Sequence, residues 1–254
     1  MRNNGFKNEY DFVKYFNNKY LKDFDLNSKE FLIDLFDGNI DNSERIICYK
    51  NKLPQKTDIF IKFKNYTKGV SLKCGKNNSV DQETIDEFKK YLADIGIPYK
   101  VIEYYVSFHF GYKRNNDGTR DLNTRLSSEE YRKIYQDELD VFNKYINKSK
   151  IIIGMVDRFV IRGRNSNYDI DALISGTPEN YVWINKYDLY DLFLSKKNIN
   201  FDTPHISCLI IGPKSRGLTE LKKSWERYSV CIKWLNPGED IKKFKKIVKN
   251  NRTY

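Results

Sequence analysis

A predicted β-hairpin carries Asp58 at one end and Ser71 and Lys73 at the other. The sequences DIFIKF and TKGVSLK alternate apolar and polar residues around a turn, as paired antiparallel strands do. Alternation places Ser71 and Lys73 on one face of their strand, and the pairing brings Asp58 beside Lys73. An aspartate can bind Mg²⁺, and a nearby lysine can orient water or stabilise negative charge in a transition state. The hairpin therefore predicts part of a metal-dependent site for phosphodiester hydrolysis, although chance surface charge gives the same pattern.

The segments around the hairpin predict a mixed α/β (α+β) fold. Apolar spacing and turn residues give the order helix, helix, three strands, helix, strand. Ser79 and Gln82 suit the start of the helix after the hairpin. The segments are helices at 7–21, 28–38 and 79–96, and strands at 45–52, in the hairpin and at 99–112.

The rest of the chain begins with a polar segment, 113–126, which predicts an exposed loop or a linker. A helix is predicted at 127–147, and a basic amphipathic helix at 238–254. Short strands and one further helix are predicted between them, at 150–163, 169–175, 181–194, 205–213 and 227–235.

The chain has 254 residues, and its 45 Lys and Arg outnumber its 34 Asp and Glu, for a net charge of +11. Such a surface favours polyanions, nucleic acid first, although an AT-rich coding bias also enriches lysine. The four cysteines lack C-x-x-C spacing and the only histidines are His109 and His205, which argues against a zinc site and a histidine base. Without a signal segment or an apolar run of membrane-spanning length, we expect a cytoplasmic protein with no membrane partner.

Two loops carry groups that could contact DNA. Lys76, Asn77 and Asn78 lie where the helix after the hairpin should begin, and a helix start can bind phosphate. Lys214 and Arg216 lie in the loop GPKSRG, and arginine can bind guanine through two hydrogen bonds. Each loop could equally be an ordinary exposed turn.

Together these features resemble the PD-(D/E)xK nuclease superfamily, which includes many type II restriction endonucleases. Thr57 and Asp58 match the PD element, and Ser71-Leu72-Lys73 matches the (D/E)xK element, within a resemblance that covers residues 5–112. The resemblance implies a core of one mixed central sheet flanked by helices, over residues 1–112. Residues 113–254 would then form an α+β region for DNA recognition and dimerisation, or complete the same domain.

The chain departs from the family pattern at two positions. Thr57 replaces the proline, and Ser71 replaces the second acid, so one metal ligand is missing. A subset of these endonucleases has the same serine and takes its second carboxylate from the following helix. Here that resemblance implies Glu83 or Glu87, and Glu9 matches an acid on the first helix of such nucleases that can assist a metal-bound water.

The resemblance implies a Mg²⁺-dependent enzyme that hydrolyses double-stranded DNA at a specific sequence. Asp58 and Glu83 or Glu87 would bind the metal ion, Lys73 would act on the attacking water, and Ser71 would line the site. Cleavage of a palindrome by two sites implies a homodimer. Two alternatives stay open: a non-catalytic nucleic-acid-binding protein with a degenerate nuclease core, and a structure-specific repair or recombination nuclease.

Overall fold

The computed structural model describes residues 4–75, 78–163, 168–197, 199, 201–216 and 224–251, and it confirms the α+β composition. The helices are α1 (Asn4–Phe16), α2 (Leu26–Leu35), α3 (Ile85–Asp94), α4 (Tyr99–Phe110), α5 (Ser128–Ile146), α6 (Ser149–Val156), α7 (Lys186–Ser195) and α8 (Pro237–Asn251). Short 3₁₀ turns cover Leu21–Asp23 and Ser224–Tyr228, and a π-helical turn covers Asp157–Arg162. The strands are β1 (Ile47–Lys50), β2 (Ile59–Phe63), β3 (Tyr66–Lys73), β4 (Asn78–Thr84), β5 (Tyr112–Arg114), β6 (Arg120–Arg125), β7 (Ala172–Thr177), β8 (Asn180–Asn185), β9 (His205–Ile206), β10 (Leu209–Pro213) and β11 (Ser229–Trp234).

The described residues divide into two compact units, and each unit combines separated stretches of the chain. The first unit draws on residues 1–78, 156–192 and 236–254, and the second on 79–155 and 193–235. The predicted boundary after residue 112 falls inside the second unit.

The first unit is built on a five-stranded mixed sheet in the order β1–β2–β3–β7–β8. The strands β1, β2 and β3 form an antiparallel meander, whereas β7 runs parallel to β3, with Leu72 opposite Ile174. Helix α1 packs against this sheet and α2 packs against β8. The core between them is rich in buried aromatic rings, among them Phe12, Phe16 and Phe31. This hydrophobic contact fixes α1 beside the β2–β3 hairpin.

The second unit contains a four-stranded sheet, in the order β4–β11–β10–β9, and the β5–β6 hairpin. Helix α4 packs against both α3 and α5. Tyr105 of α4 lies between Phe88 and Phe142, with ring centroids 5.1 Å from each. These aromatic contacts form the centre of the second unit.

Two segments predicted as strands are helical. Residues 99–112 contain α4, and residues 150–163 contain α6 and the π-helical turn. Both segments are rich in β-branched and aromatic residues, which favour strands as isolated sequences. In α4, however, Val101, Tyr105 and Phe108 recur at helical spacing and are all buried, so tertiary packing outweighs the local preference.

The helix predicted from Ser79 begins later, because β4 occupies the first part of that segment. Thr84 is the N-cap of α3, and its Oγ1 accepts a hydrogen bond from the Glu87 N–H at 3.2 Å. Glu87 Oε2 in turn accepts one from the Thr84 N–H at 3.1 Å, which completes a capping box. The expectation that the helix after the hairpin carries both Glu83 and Glu87 is therefore wrong for Glu83, which lies on β4.

Residues 113–126, predicted as a loop or linker, include most of the β5–β6 hairpin. The Asn115 N–H donates to the Thr119 carbonyl at 2.8 Å and closes the turn. Other predictions are confirmed, including the β2–β3 hairpin, the helix at 127–147, which is α5 and begins after the N-cap Ser127, and the C-terminal helix. None of the described helices combines the length and apolar composition that crossing a membrane requires.

Candidate active site

The β2–β3 hairpin forms as predicted, and it brings Asp58 within hydrogen-bonding distance of Ser71. The Asp58 N–H donates to the Val70 carbonyl at 2.9 Å, which ties the residue before β2 to β3. Asp58 Oδ2 accepts hydrogen bonds from the Ser71 hydroxyl at 3.1 Å and from the Leu72 N–H at 2.6 Å. The two donors fix the orientation of the carboxylate.

Close packing between Thr57 and Gly69 positions the backbone directly before Asp58. A Cβ atom at Gly69 would lie 2.7 Å from Thr57 Oγ1, so only glycine leaves room for this side chain. Thr57 is buried. Close packing of these two residues therefore positions the backbone that leads into Asp58.

The charge of Asp58 is shaped by burial and by neighbouring groups. Burial raises the pKa of Asp58 above its usual value, and the Glu9 carboxylate raises it further. The Lys73 ammonium group and the bonds from Leu72 and Ser71 lower this pKa, but they do not outweigh burial. Lys73 and Glu9 are thus within electrostatic reach of Asp58, and a further cation would favour the ionised carboxylate.

Glu9 reaches the site from α1 and is engaged by a lysine. Lys50 Nζ at the end of β1 lies 2.6 Å from Glu9 Oε2 and 4.4 Å from the centroid of the Phe6 ring. Sequence reasoning did not identify Lys50, because only the packing of α1 against β1 brings the two residues together.

Asp58 and Glu9 are the acids that could hold Mg²⁺ in the first unit, since hard cations prefer carboxylate oxygens. Among the described residues Asp58 Oδ1 accepts no hydrogen bond, and it is the oxygen best placed for a metal ion. The described residues contain no group of three or more His, Cys, Asp or Glu side chains that could enclose a metal ion. Mg²⁺ commonly keeps several waters and shares substrate phosphates, so Asp58 and Glu9 offer the donor type, carboxylate oxygen, that such an ion takes.

The predicted second acids both belong to the second unit. Glu83 is 4% exposed, and its charge contributes to the raised pKa of Tyr105, whose main cause is burial. Glu87 is exposed, and its carboxylate accepts hydrogen bonds from the N–H and the hydroxyl of Thr84, at 3.1 Å and 3.0 Å. The interactions described for Glu83 and Glu87 are therefore with residues of the second unit, Tyr105 and Thr84.

Of the predicted DNA contacts, Lys76 and Asn77 lie outside the described residues. The Asn78 side chain closes the turn before β4, because Nδ2 donates to the Gly75 carbonyl at 2.8 Å and Oδ1 accepts from the Cys74 N–H at 3.2 Å. Lys214 Nζ lies 3.9 Å from the centroid of the Trp225 ring and 3.7 Å from Glu226 Oε1. Local partners therefore constrain both Asn78 and Lys214.

Arg216 is a buried residue of the second unit, although a DNA contact requires an exposed one. Its side chain is 8% exposed, and its guanidinium carbon lies 4.2 Å from the centroid of the Phe108 ring. Nε donates to the Ser128 hydroxyl at 2.9 Å, and burial lowers the pKa of Arg216 to about 10. This placement favours a structural role between β10 and α5.

Asp171 is a second residue whose structural contacts were not predicted from the sequence. Its Oδ2 accepts a hydrogen bond from the Gly69 N–H at 2.7 Å, and its Oδ1 lies 3.7 Å from Lys68 Nζ. It joins the start of β7 to β3 and so holds the parallel pair in register. The sequence DIDALIS, an acid directly before an apolar strand, was the available signal.

The residues that carry the resemblance, Glu9, Asp58, Ser71 and Lys73, all lie in described parts of the first unit. The chain was compared with models of protein families and with curated proteins, and neither comparison found a match.

Proposed function

We propose that the protein is a metal-dependent DNA endonuclease and that its first unit carries the catalytic groups. The observation that supports this most is the Asp58 carboxylate, oriented by Ser71 and the Leu72 N–H beside the charge of Lys73. An oriented carboxylate with a cation within electrostatic reach suits the hydrolysis of a phosphodiester, because charge develops on the phosphate oxygens. These groups lie on or beside a mixed sheet against which helix α1 packs.

Each residue has a distinct proposed role. Asp58 and Glu9 would hold Mg²⁺, which when bound supplies Lewis acidity and activates water. Lys73 would orient the attacking water and stabilise the negative charge of the transition state. Ser71 orients Asp58 through its hydroxyl, so it acts on the carboxylate instead of binding the metal ion itself.

DNA is the proposed substrate because the net charge of +11 favours a polyanion. The resemblance narrows the proposal to a type II restriction enzyme that cuts double-stranded DNA as a homodimer. Binding should therefore weaken steeply as the salt concentration rises.

A non-catalytic nucleic-acid-binding protein is the second candidate, and Ser71 is the observation that favours it. The hydroxyl stands where the family pattern has an acid, and it is hydrogen-bonded to Asp58. If Glu9 stays paired with Lys50, Asp58 alone would bind the metal ion too weakly for catalysis.

Replacement of Lys73 by methionine tests the enzyme directly. We expect the single-turnover rate of cleavage with Mg²⁺ to fall by about 100-fold or more, because the proposed transition-state cation is lost. Fragments of sequenced phage DNA, separated on a gel and mapped at their ends, give the rate and the cut positions. The control is Lys64→Met, because Lys64 pairs with Asp41 on the surface at 3.0 Å.

Cleavage unchanged in Lys73→Met would contradict the role of Lys73. Binding of DNA by the wild-type chain with no cleavage, over several divalent ions, would favour the non-catalytic protein. Cleavage confined to branched substrates would indicate the structure-specific nuclease.

The choice between Glu83 and Glu87 is tested by the two glutamine variants. Glu87→Gln keeps an oxygen that can accept from Thr84, so its melting temperature should stay within a few degrees of the wild type. If one of these acids completes the metal site, its glutamine variant should cleave about 100-fold more slowly, whereas the other should not. Full activity in both variants would show that neither acid supplies the second carboxylate.

A further inference from the structure

Glu9 is paired with a lysine in this structure, in the same cluster as Asp58. The Lys50 Nζ to Glu9 Oε2 distance is 2.6 Å, and the Glu9 side chain is 18% exposed. The Lys50 ammonium group also lies 4.4 Å from the centroid of the Phe6 ring. An ammonium group therefore already pairs with one oxygen of a carboxylate that a metal ion would need.

The charges of this cluster balance without a metal ion. With all four groups ionised, Asp58 and Glu9 contribute two negative charges, and Lys50 and Lys73 contribute two positive charges. A divalent cation on the two carboxylates would add two positive charges and leave Lys50 without its partner. A DNA phosphate is the negative group that the proposed substrate could bring to the released ammonium group.

We propose that Lys50 competes with the divalent cation for Glu9, and that the released Lys50 then binds a phosphate of the DNA. This inference rests on the proposed function and makes Lys50 a positioning residue. It gives the adjacent Glu9 and Lys50 a function at the active site. Binding of the metal ion then raises the affinity for DNA, and binding of DNA raises the affinity for the metal ion. A metal ion alone must break an ion pair, whereas a metal ion with DNA exchanges that pair for a new one.

The affinity for Mn²⁺ tests the competition, with free Mn²⁺ measured by electron paramagnetic resonance on the full chain. In Lys50→Met the ammonium group is lost, but an unbranched side chain remains over Phe6. Partly exposed ion pairs contribute up to about 1 kcal/mol, so we expect Mn²⁺ to bind about 2- to 5-fold more tightly without DNA. A DNA duplex should tighten Mn²⁺ binding in the wild type, and this gain should shrink in Lys50→Met.

Three further variants make the result specific to the pair. Lys50→Arg keeps a cation beside Glu9 and should bind Mn²⁺ like the wild type, as should the distant surface variant Lys64→Met. In a Glu9→Gln background Lys50→Met should no longer tighten binding, because the competition acts through Glu9. A merely structural role for Lys50 would not raise metal affinity.

Equal or weaker Mn²⁺ binding in Lys50→Met would overturn the inference. If the wild type still cleaved DNA and still bound Mn²⁺ in an Asp58-dependent way, only the inference would fall. If the wild type bound no Mn²⁺, or if Asp58→Asn bound it equally well, the metal assignment of the proposed function would fail as well.

Discussion

Asp58→Asn should abolish cleavage and at the same time raise the melting temperature at neutral pH. The amide loses the negative charge that a metal ion needs, so the single-turnover rate with Mg²⁺ should fall by at least about 100-fold. The amide oxygen can still accept hydrogen bonds from Ser71 and Leu72, so the hairpin should keep its shape. DNA binding, measured without divalent ions, should stay within a few-fold of the wild type.

The gain in stability follows from the direction of the pKa shift. Burial raises the pKa of Asp58 in the folded protein above the 3.8 of an unperturbed aspartate. The folded state therefore binds more protons than the unfolded state as the pH rises above that value, and the wild type loses stability relative to Asp58→Asn. Below it both states are protonated, so the difference in melting temperature should vanish in acid and grow to a constant value at higher pH.

Asp41→Asn is the matched control, because its shift has the opposite sign. Hydrogen bonds from Ser43, together with Lys64, lower the pKa of Asp41 to about 2. Its ionised form stabilises the fold above the unfolded pKa, so Asp41→Asn should not raise the melting temperature at neutral pH and should leave cleavage unchanged. A lower melting temperature for Asp58→Asn at pH 7 would show that the bonds to Asp58 outweigh its burial.

Gly111→Ala should lower the free energy of unfolding by about 2–5 kcal/mol, the sum of a left-handed backbone and a steric clash. Gly111 ends α4 with a φ of 69°, and an added Cβ would lie 2.3 Å from the Leu126 carbonyl oxygen. That oxygen is part of the backbone, and the Leu126 N–H donates to the Gly111 carbonyl at 2.8 Å, so the neighbour cannot move away cheaply. Urea unfolding followed by circular dichroism gives the free energy.

Two other glycines separate the backbone cost from the clash. Gly118 has a φ of 82° but nothing within 4 Å of an added Cβ, so Gly118→Ala should cost only about 1–2 kcal/mol. Gly5 lies in α1 with open space around it, and Gly5→Ala should be neutral or slightly stabilising. Similar losses at Gly111 and Gly118 would show that the close contact with Leu126 relaxes.

Local patterns predicted the parts of the fold that depend on local chemistry. The alternation in β2 and β3 identified the hairpin and predicted Asp58 beside Lys73, and the serines at 127 and 128 marked the start of α5. The strand at 99–112 was wrong because apolar residues surround α4 on several sides, and such burial hides the helical period. Contacts between residues far apart in the chain could not be predicted from local patterns. The Glu9–Lys50 ion pair and the hydrogen bond from Gly69 to Asp171 form only because the elements that carry them pack together.

Glu83 shows why the site was only partly predictable. A helix beginning at Ser79 would have turned Glu83 and Glu87 in one direction, but the described chain forms β4 first and caps α3 with Thr84. A capping box with Thr84 and Glu87 and one with Ser79 and Gln82 look equally acceptable in sequence. The pairing of β4 with β11, about 150 residues later in the chain, decides between them.

The parallel pairing of β3 with β7 also has a consequence for synthesis of the chain. Leu72 pairs with Ile174, which is synthesised 102 residues later (174 minus 72), so β3 has no neighbouring strand on that side until β7 has been made. At about 5–20 residues per second a ribosome needs about 5–20 s to deliver it. During that interval the nascent hairpin would expose an open strand edge, which is where another nascent chain could pair with it. Asp58 and Lys73 are thus synthesised early, whereas the last strands of their sheet, β7 and β8, are synthesised late. Conditions that slow translation should therefore increase aggregation of this chain.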